Sequence, residues 1–163
     1  MSLMNKVFAR GVVSLVNATS KLQSLQMRLL AGEMKDNMEH LEPYGYTSNP
    51  HPGAEGLAAF IGGDRSHGVV VCIADRRFRL AGLKTGEVAL YTDEGDVLHF
   101  KRERVIEIET MTLRIKAGTA VEFDTPLIHT TGRIVSDGDQ VAAKVSQVNH
   151  VHEGSDKKPV PGG

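Results

Sequence analysis

The sequence predicts an all-β protein, with a small N-terminal barrel of the OB type followed by a ribbon that cannot bury its own apolar side. Three observations carry this. The first hundred residues break into short apolar segments divided by turn residues. A longer stretch, Met111 to Leu127, alternates apolar and polar almost without interruption. Near the C-terminus stands His150-Val151-His152. On extended backbone this places both imidazoles on one face, as a two-nitrogen metal claw.

Taken in order, Gly11 to Val16 is the first strand candidate and Leu25 to Leu29 the second. Leu22, Leu25 and Leu29 also fit a helical stripe, but the alternation within Leu25 to Leu29 favours a strand. Pro43 to Gly56 contains Pro43, Pro50 and Pro52 and reads as a loop. Ala58 to Ile61 leads into a Gly62-Gly63-Asp64 turn, and Gly68 to Ile73 and Glu87 to Tyr91 follow as strands. Thr92-Asp93-Glu94-Gly95 is a tight hairpin turn into Asp96 to Phe100. Lys101-Arg102-Glu103-Arg104, mixed in sign, reads as a solvated junction.

The ribbon comes next. Met111, Leu113, Ile115, Val121, Phe123 and Leu127 occupy odd positions, against Arg114, Lys116, Glu122 and Asp124 on even ones. Ile106 and Ile108 keep the opposite parity, so the register slips near Thr110. Globular strands rarely exceed about ten residues, and one narrow ribbon left open would be an aggregating edge. Several copies winding about one axis, odd faces inward, cover one another; three-fold symmetry leaves no edge exposed. Gly132, Gly138 and the Ser136-Asp137-Gly138-Asp139 cluster mark bends. Val141, Ala143 and Val145 then share a face, and the parity of Val148 carries it into His150 and His152.

Composition narrows the function. The chain has 163 residues, 40% hydrophobic and 24% charged, with no Trp and 17 Gly. These proportions suit an ordinary folded protein rich in turns. A net charge of −1, no Trp and three Tyr argue against an OB-type binder of single-stranded nucleic acid, which needs a basic groove and stacking aromatics. That remains the alternative reading. A metal-dependent hydrolase is the other rival, but His-x-His at the chain end leaves no later residues to complete an open catalytic site. Cys72, within Val69 to Ile73, reads as a buried small hydrophobe and forms no intrachain disulfide. His40, His51, His67, His99 and His129 read as solvated, without ligand spacing. Met1 to Arg10 lacks the apolar stretch of a signal peptide, so synthesis in the cytoplasm is expected.

Gly86 to Asp96, the alternating run from Ile106 to Pro126, Asp137-Gly138-Asp139 and the terminal His-x-His occur in an order that resembles one family. These are the central spike proteins of contractile-tailed phages, of the Mu-type baseplate assembly protein V group. In that resemblance Gly86 to Asp96 closes the barrel. It implies a homotrimer with residues 1–100 as an OB-type base docked on the baseplate hub, 101–149 as a triple-stranded β-helix shaft and 150–163 as the tip. It further implies that His150 and His152 of three chains hold one iron ion with six nitrogens, and that calcium and chloride sit in some shafts. The relatives often place Pro after the second His, where this chain has Glu153. The implied function is non-enzymatic: a virion protein at the tail tip that pierces the host outer membrane on contraction, without nucleic acid or a small-molecule substrate.

Overall fold

A computed structural model describes residues 7–150 of the chain. The described residues divide into two compact units, with the boundary between Arg114 and Ile115. In the first unit, β1 (Phe8–Asn17), β2 (Ser24–Leu29), β3 (Met34–His40), β4 (Glu55–Phe60) and β5 (Gly68–Ala74) form a closed barrel. The order round the wall is β1-β2-β3-β5-β4, with only β3 and β5 parallel, a Greek-key arrangement of the OB type.

Alternation builds this barrel. Ala9 and Val13 on β1, Leu25, Met27 and Leu29 on β2, Ala58 and Phe60 on β4 and Val70 on β5 turn inward and form one core. Where strands cross closely the inward residue is glycine: a Cβ at Gly68 would lie 2.4 Å from Met38 Cε and 2.8 Å from Phe60 Cε1. Three irregularities bend the wall, opposite Val13/Leu15, Leu25/Met27 and Leu57/Ala58, as closure of so small a barrel requires. At the second, Asn37 takes a left-handed conformation (φ 52°), and its amide donates to Asp36 Oδ1 at 2.9 Å.

Three readings need correction. Cys72 is exposed. The irregularity in the β4–β5 pairing inserts Val71 between Val70 and Cys72, so both residues after Val70 face outward, although the run is apolar throughout. His40 is buried at 6% exposure; its Nδ1 bonds to Gln23 Oε1 at 2.9 Å, and burial lowers its pKa. Gly86 to Asp96 does not close the barrel, which is already complete at Ala74. Those residues belong to a separate three-stranded sheet, β6 (Val88–Tyr91), β7 (Val97–Phe100) and β8 (Ile106–Glu109).

The β6–β7 turn at Thr92 to Gly95 forms as expected, closed by Thr92 N donating to Asp96 O at 3.0 Å. Barrel and sheet meet where His51 Nε2 lies 3.0 Å from Asp93 Oδ2 in that turn. His99, also expected in solvent, is 15% exposed and paired with Glu87, itself 6% exposed. Glu87 accepts from the amides of Lys84 (2.9 Å) and Arg102 (3.2 Å) as well as from His99 Nε2 (3.2 Å). The two amides hold its carboxyl below the ordinary value of 4.5. A carboxyl so depressed stabilises the fold above its unfolded pKa, and that contribution disappears as pH falls through the lower, folded value. Glu87→Gln is therefore expected to lower the melting temperature at pH 7 and to flatten its decline below about pH 4.5; an acid limb as steep as the parent's would show that Glu87 has no part in it.

Candidate assembly face and C-terminal site

The pairing of the second sheet puts its apolar residues on one side. Val88 faces Phe100, which faces Ile106; Leu90 faces Leu98, which faces Ile108. Directly paired residues share a face, so these side chains form one continuous apolar surface. It is open: Val88 and Ile106 are both 61% exposed, and Leu90, Phe100 and Ile108 are exposed as well. The opposite face carries Ala89, His99 and Glu107, with Lys101 paired to Glu107. A sheet with charge on one side and bare hydrocarbon on the other marks an interaction surface.

Beyond Glu109 the chain loses its partners. Thr110 Oγ1 donates to Asp96 Oδ1 at 2.7 Å, at the point where the apolar parity slips. Met111, Leu113, Ile115, Val121, Phe123 and Leu127 are all exposed. Among the described residues, no backbone–backbone hydrogen bond forms within 111–139. Bends fall at 118–119, 125–126, 131–132 and 137–138, the last two where glycine and the Ser-Asp-Gly-Asp cluster predict them. Backbone amides and carbonyls are obligatory hydrogen-bonding groups, and here they find only local side-chain partners, Thr125 for Leu127 and Ser136 for Gly138, while the apolar side chains lack cover.

The second unit ends in a hook. β9 (Val141–Ala142) and β10 (Val145–Ser146) pair as a hairpin, with Ala143 (φ 46°) and Lys144 (φ 69°) both left-handed at its turn. The extended path through Val141, Ala143 and Val145 is thereby corrected: the chain reverses at Ala143-Lys144, and a second turn occupies 147–149. Asp139 Oδ1 accepts the Val148 amide at 3.1 Å, and Asn149 N donates to Ser146 Oγ at 2.8 Å. The Ser146 hydroxyl and then the Val148 amide keep the Asp139 carboxyl below its usual range.

His150 sits at the end of this hook. Its amide donates to Ser146 O at 3.0 Å, and its Nδ1 lies 3.0 Å from the carbonyl oxygens of both Ser146 and Gln147. Carbonyls only accept, so the proton is on Nδ1 and the basic lone pair is on Nε2. That is the form in which an imidazole ligates a metal, the other nitrogen held by a carbonyl. The ring therefore fits the predicted role. His152 lies outside the described residues. Among the described residues, no three His, Cys, Asp or Glu side chains converge on a common point. The contact of Asp139 with Val148 is not announced by the sequence, where its only trace is the bend cluster.

A closed OB-type barrel followed by an apolar-faced sheet and an unpaired ribbon defines an all-β, barrel-and-ribbon protein. Comparison with known proteins gives that architecture a family. A family model described as bacteriophage Mu Gp45, N-terminal, matches residues 10–77, nearly the span of the barrel. The baseplate puncturing device gp45 of Escherichia phage Mu is 36% identical over 128 residues, 78% of this chain and 65% of that protein. The chain thus spans about two thirds of the length of that relative. The Mu-like prophage FluMu protein gp45 of Haemophilus influenzae is 36% identical over 165 residues, 94% of this chain and 90% of that protein. The chain belongs to the bacteriophage Mu Gp45 family.

Proposed function

We propose that the chain is the central spike at the baseplate tip of a contractile phage tail or tail-like particle, a non-enzymatic virion component that pierces the host outer membrane. The observation that carries this reading is the apolar side of β6–β8, followed in the chain by a ribbon without backbone–backbone hydrogen bonds among the described residues 111–139. Three copies winding about one axis give each bare strand a neighbour and each odd-numbered side chain a covered position. The relative named a baseplate puncturing device supports the same function.

In this reading residues 1–100 form the base that docks on the tail hub, with the barrel as its body and the β6–β8 sheet leading into the shaft. Residues 101–149 intertwine as a triple-stranded β-helix, and 150–163 form the tip. His150 and His152 of the three chains hold one iron ion at the apex, where six nitrogens suit octahedral coordination. Iron bound only by the assembled form stabilises it by about 3 kcal/mol at a hundred times its Kd. Such an ion joins the strand ends where the shaft is thinnest. Contraction supplies the work, and the narrow apex concentrates it on the membrane.

Native mass determination with elemental analysis tests both parts at once. The expected result is three chains and one iron per particle; a stable, folded single chain in dilute solution would remove the reading. With His150→Ala and His152→Ala together the iron should be lost while the three-chain mass is retained, and stoichiometric iron in that variant would clear both residues of any role. Acid should release the ion, because the ligating imidazoles must be unprotonated.

A further inference from the structure

We infer that His51 is a positioning residue that pins the barrel to the β6–β8 sheet and so sets the angle between them. The path of the chain makes such a pin necessary. After β5 ends at Ala74, residues 75–87 run without a strand until β6 begins at Val88. The two ends of this connection belong to different bodies. Arg77 donates from Nη2 to Pro52 O at 3.0 Å and from Nε to Asp75 Oδ1 at 2.9 Å, so residues 75–77 go with the barrel. Leu80 to Leu83 share a cavity of about 140 Å³ with Val97, Glu107 and Glu109 on the charged side of the sheet. Glu87 accepts the Lys84 amide, so residues 80–87 go with the sheet. Only Phe78 and Arg79 lie between.

His51 spans that break. Its ring lies against Phe78, with centroids 5.2 Å apart, and its Nε2 reaches Asp93 Oδ2 in the β6–β7 turn at 3.0 Å. A carboxylate accepts, so the proton is on Nε2. Among the described residues this is the one side-chain hydrogen bond between residues 8–74 and the β6–β8 sheet with its turns. Elsewhere a gap separates the two bodies: Arg10, Glu55 and Ala74 of the barrel and Tyr91 of β6 line one cavity of about 310 Å³. Parts joined so narrowly move against each other unless a contact fixes them. The loop that carries His51 is itself anchored in the wall. Ala54 N donates to His51 O at 3.0 Å, Val13 N to Ala54 O at 2.8 Å and Gly53 N to Val13 O at 2.8 Å. The His51 side chain is half exposed, so its bond adds little to stability; what it fixes is direction. In the spike reading proposed above, on which this use of the pin rests, thrust on the base then passes into the shaft without bending at residues 78–79.

The test measures residual dipolar couplings of the backbone amides in the full chain. In the parent, couplings from the barrel and from β6–β8 should fit one alignment tensor. His51→Ala should split them, so that each body needs its own tensor, while the melting temperature stays close to the parent's. His51→Gln, whose amide still donates to Asp93, should restore the common tensor. A common tensor in His51→Ala, or separate tensors in the parent or in His51→Gln, overturns the inference. Should His51→Ala fail to fold, Asp93→Ala is read in its place with the same two outcomes. Native mass of the same samples judges the spike reading separately: a single folded chain removes that reading, while the couplings alone decide whether His51 holds the two bodies in line.

Discussion

Phe100→Asp should leave the protein a single chain in solution, where the proposed three-chain particle is expected of the parent. Phe100 sits mid-face on the central strand of its sheet, between Val88 and Ile106, and in a single chain it is 43% exposed. A carboxylate there costs the isolated chain little, because water reaches it. In a three-fold assembly the same substitution recurs in every copy and buries each charge among hydrocarbon. An unpaired buried charge costs several kcal/mol or more, so the effect is multiplied where the chains meet and is small where they do not. Glu109→Gln, on the charged side of the same sheet, should leave the particle mass unaltered. Light scattering of both variants decides the matter, and an intact three-chain particle for Phe100→Asp would show that this apolar face is covered by something else.

The second large effect lies in the barrel. Phe60 is fully buried, its ring packed against the Gly68 backbone and topped by the Arg65 guanidinium 4.3 Å from the ring centroid. Arg65 in turn pairs with Glu33 at the β2–β3 connection, so the side chain ties β4 to two other parts of the wall. Phe60→Ala should cost about 3–5 kcal/mol, a large share of the roughly 5–15 kcal/mol that holds a domain together. Calorimetry should show the barrel transition falling by well over 10 °C, at about 4–8 °C per kcal/mol for a domain of this size. A shift of only a few degrees would mean that neighbouring side chains collapse into the space, or that assembly dominates barrel stability.

The elements the sequence reveals well are those where one physical signal acts alone. β1 and β2 alternate, β4 and β5 are short apolar runs, all four are bounded by turn residues, and the ribbon's need for a partner follows from its length and parity. β3 is hidden in the sequence because only Met38 and His40 of Met34–His40 turn inward, and the irregularity at Asn37 breaks the period ahead of them. Cys72 was misplaced for a related reason: an apolar run carries no mark of the inserted Val71 that turns it outward. His40 and His99 read as surface residues in the sequence because their partners, Gln23 and Glu87, are distant in sequence and meet them only once the chain has folded. At the C-terminus the His-x-His spacing of the proposed ligand pair, His150 and His152, is plain in the sequence. The hook is not, since its turn uses Ala143-Lys144 where Asn-Gly would announce a hairpin.

The bare backbone of residues 111–139 has a mechanical consequence. An object assembled from three finished rods would hold seams along which axial load could shear it apart. Here rigidity would exist only as a joint property, because no strand has a ladder until its companions supply one. A thrust along the axis would then be resisted by covalent chains running lengthwise and by cross-links round the whole circumference. In the proposed three-chain shaft stiffness and stoichiometry would become one quantity: a particle short of one copy would not be two thirds as strong but would have no needle at all.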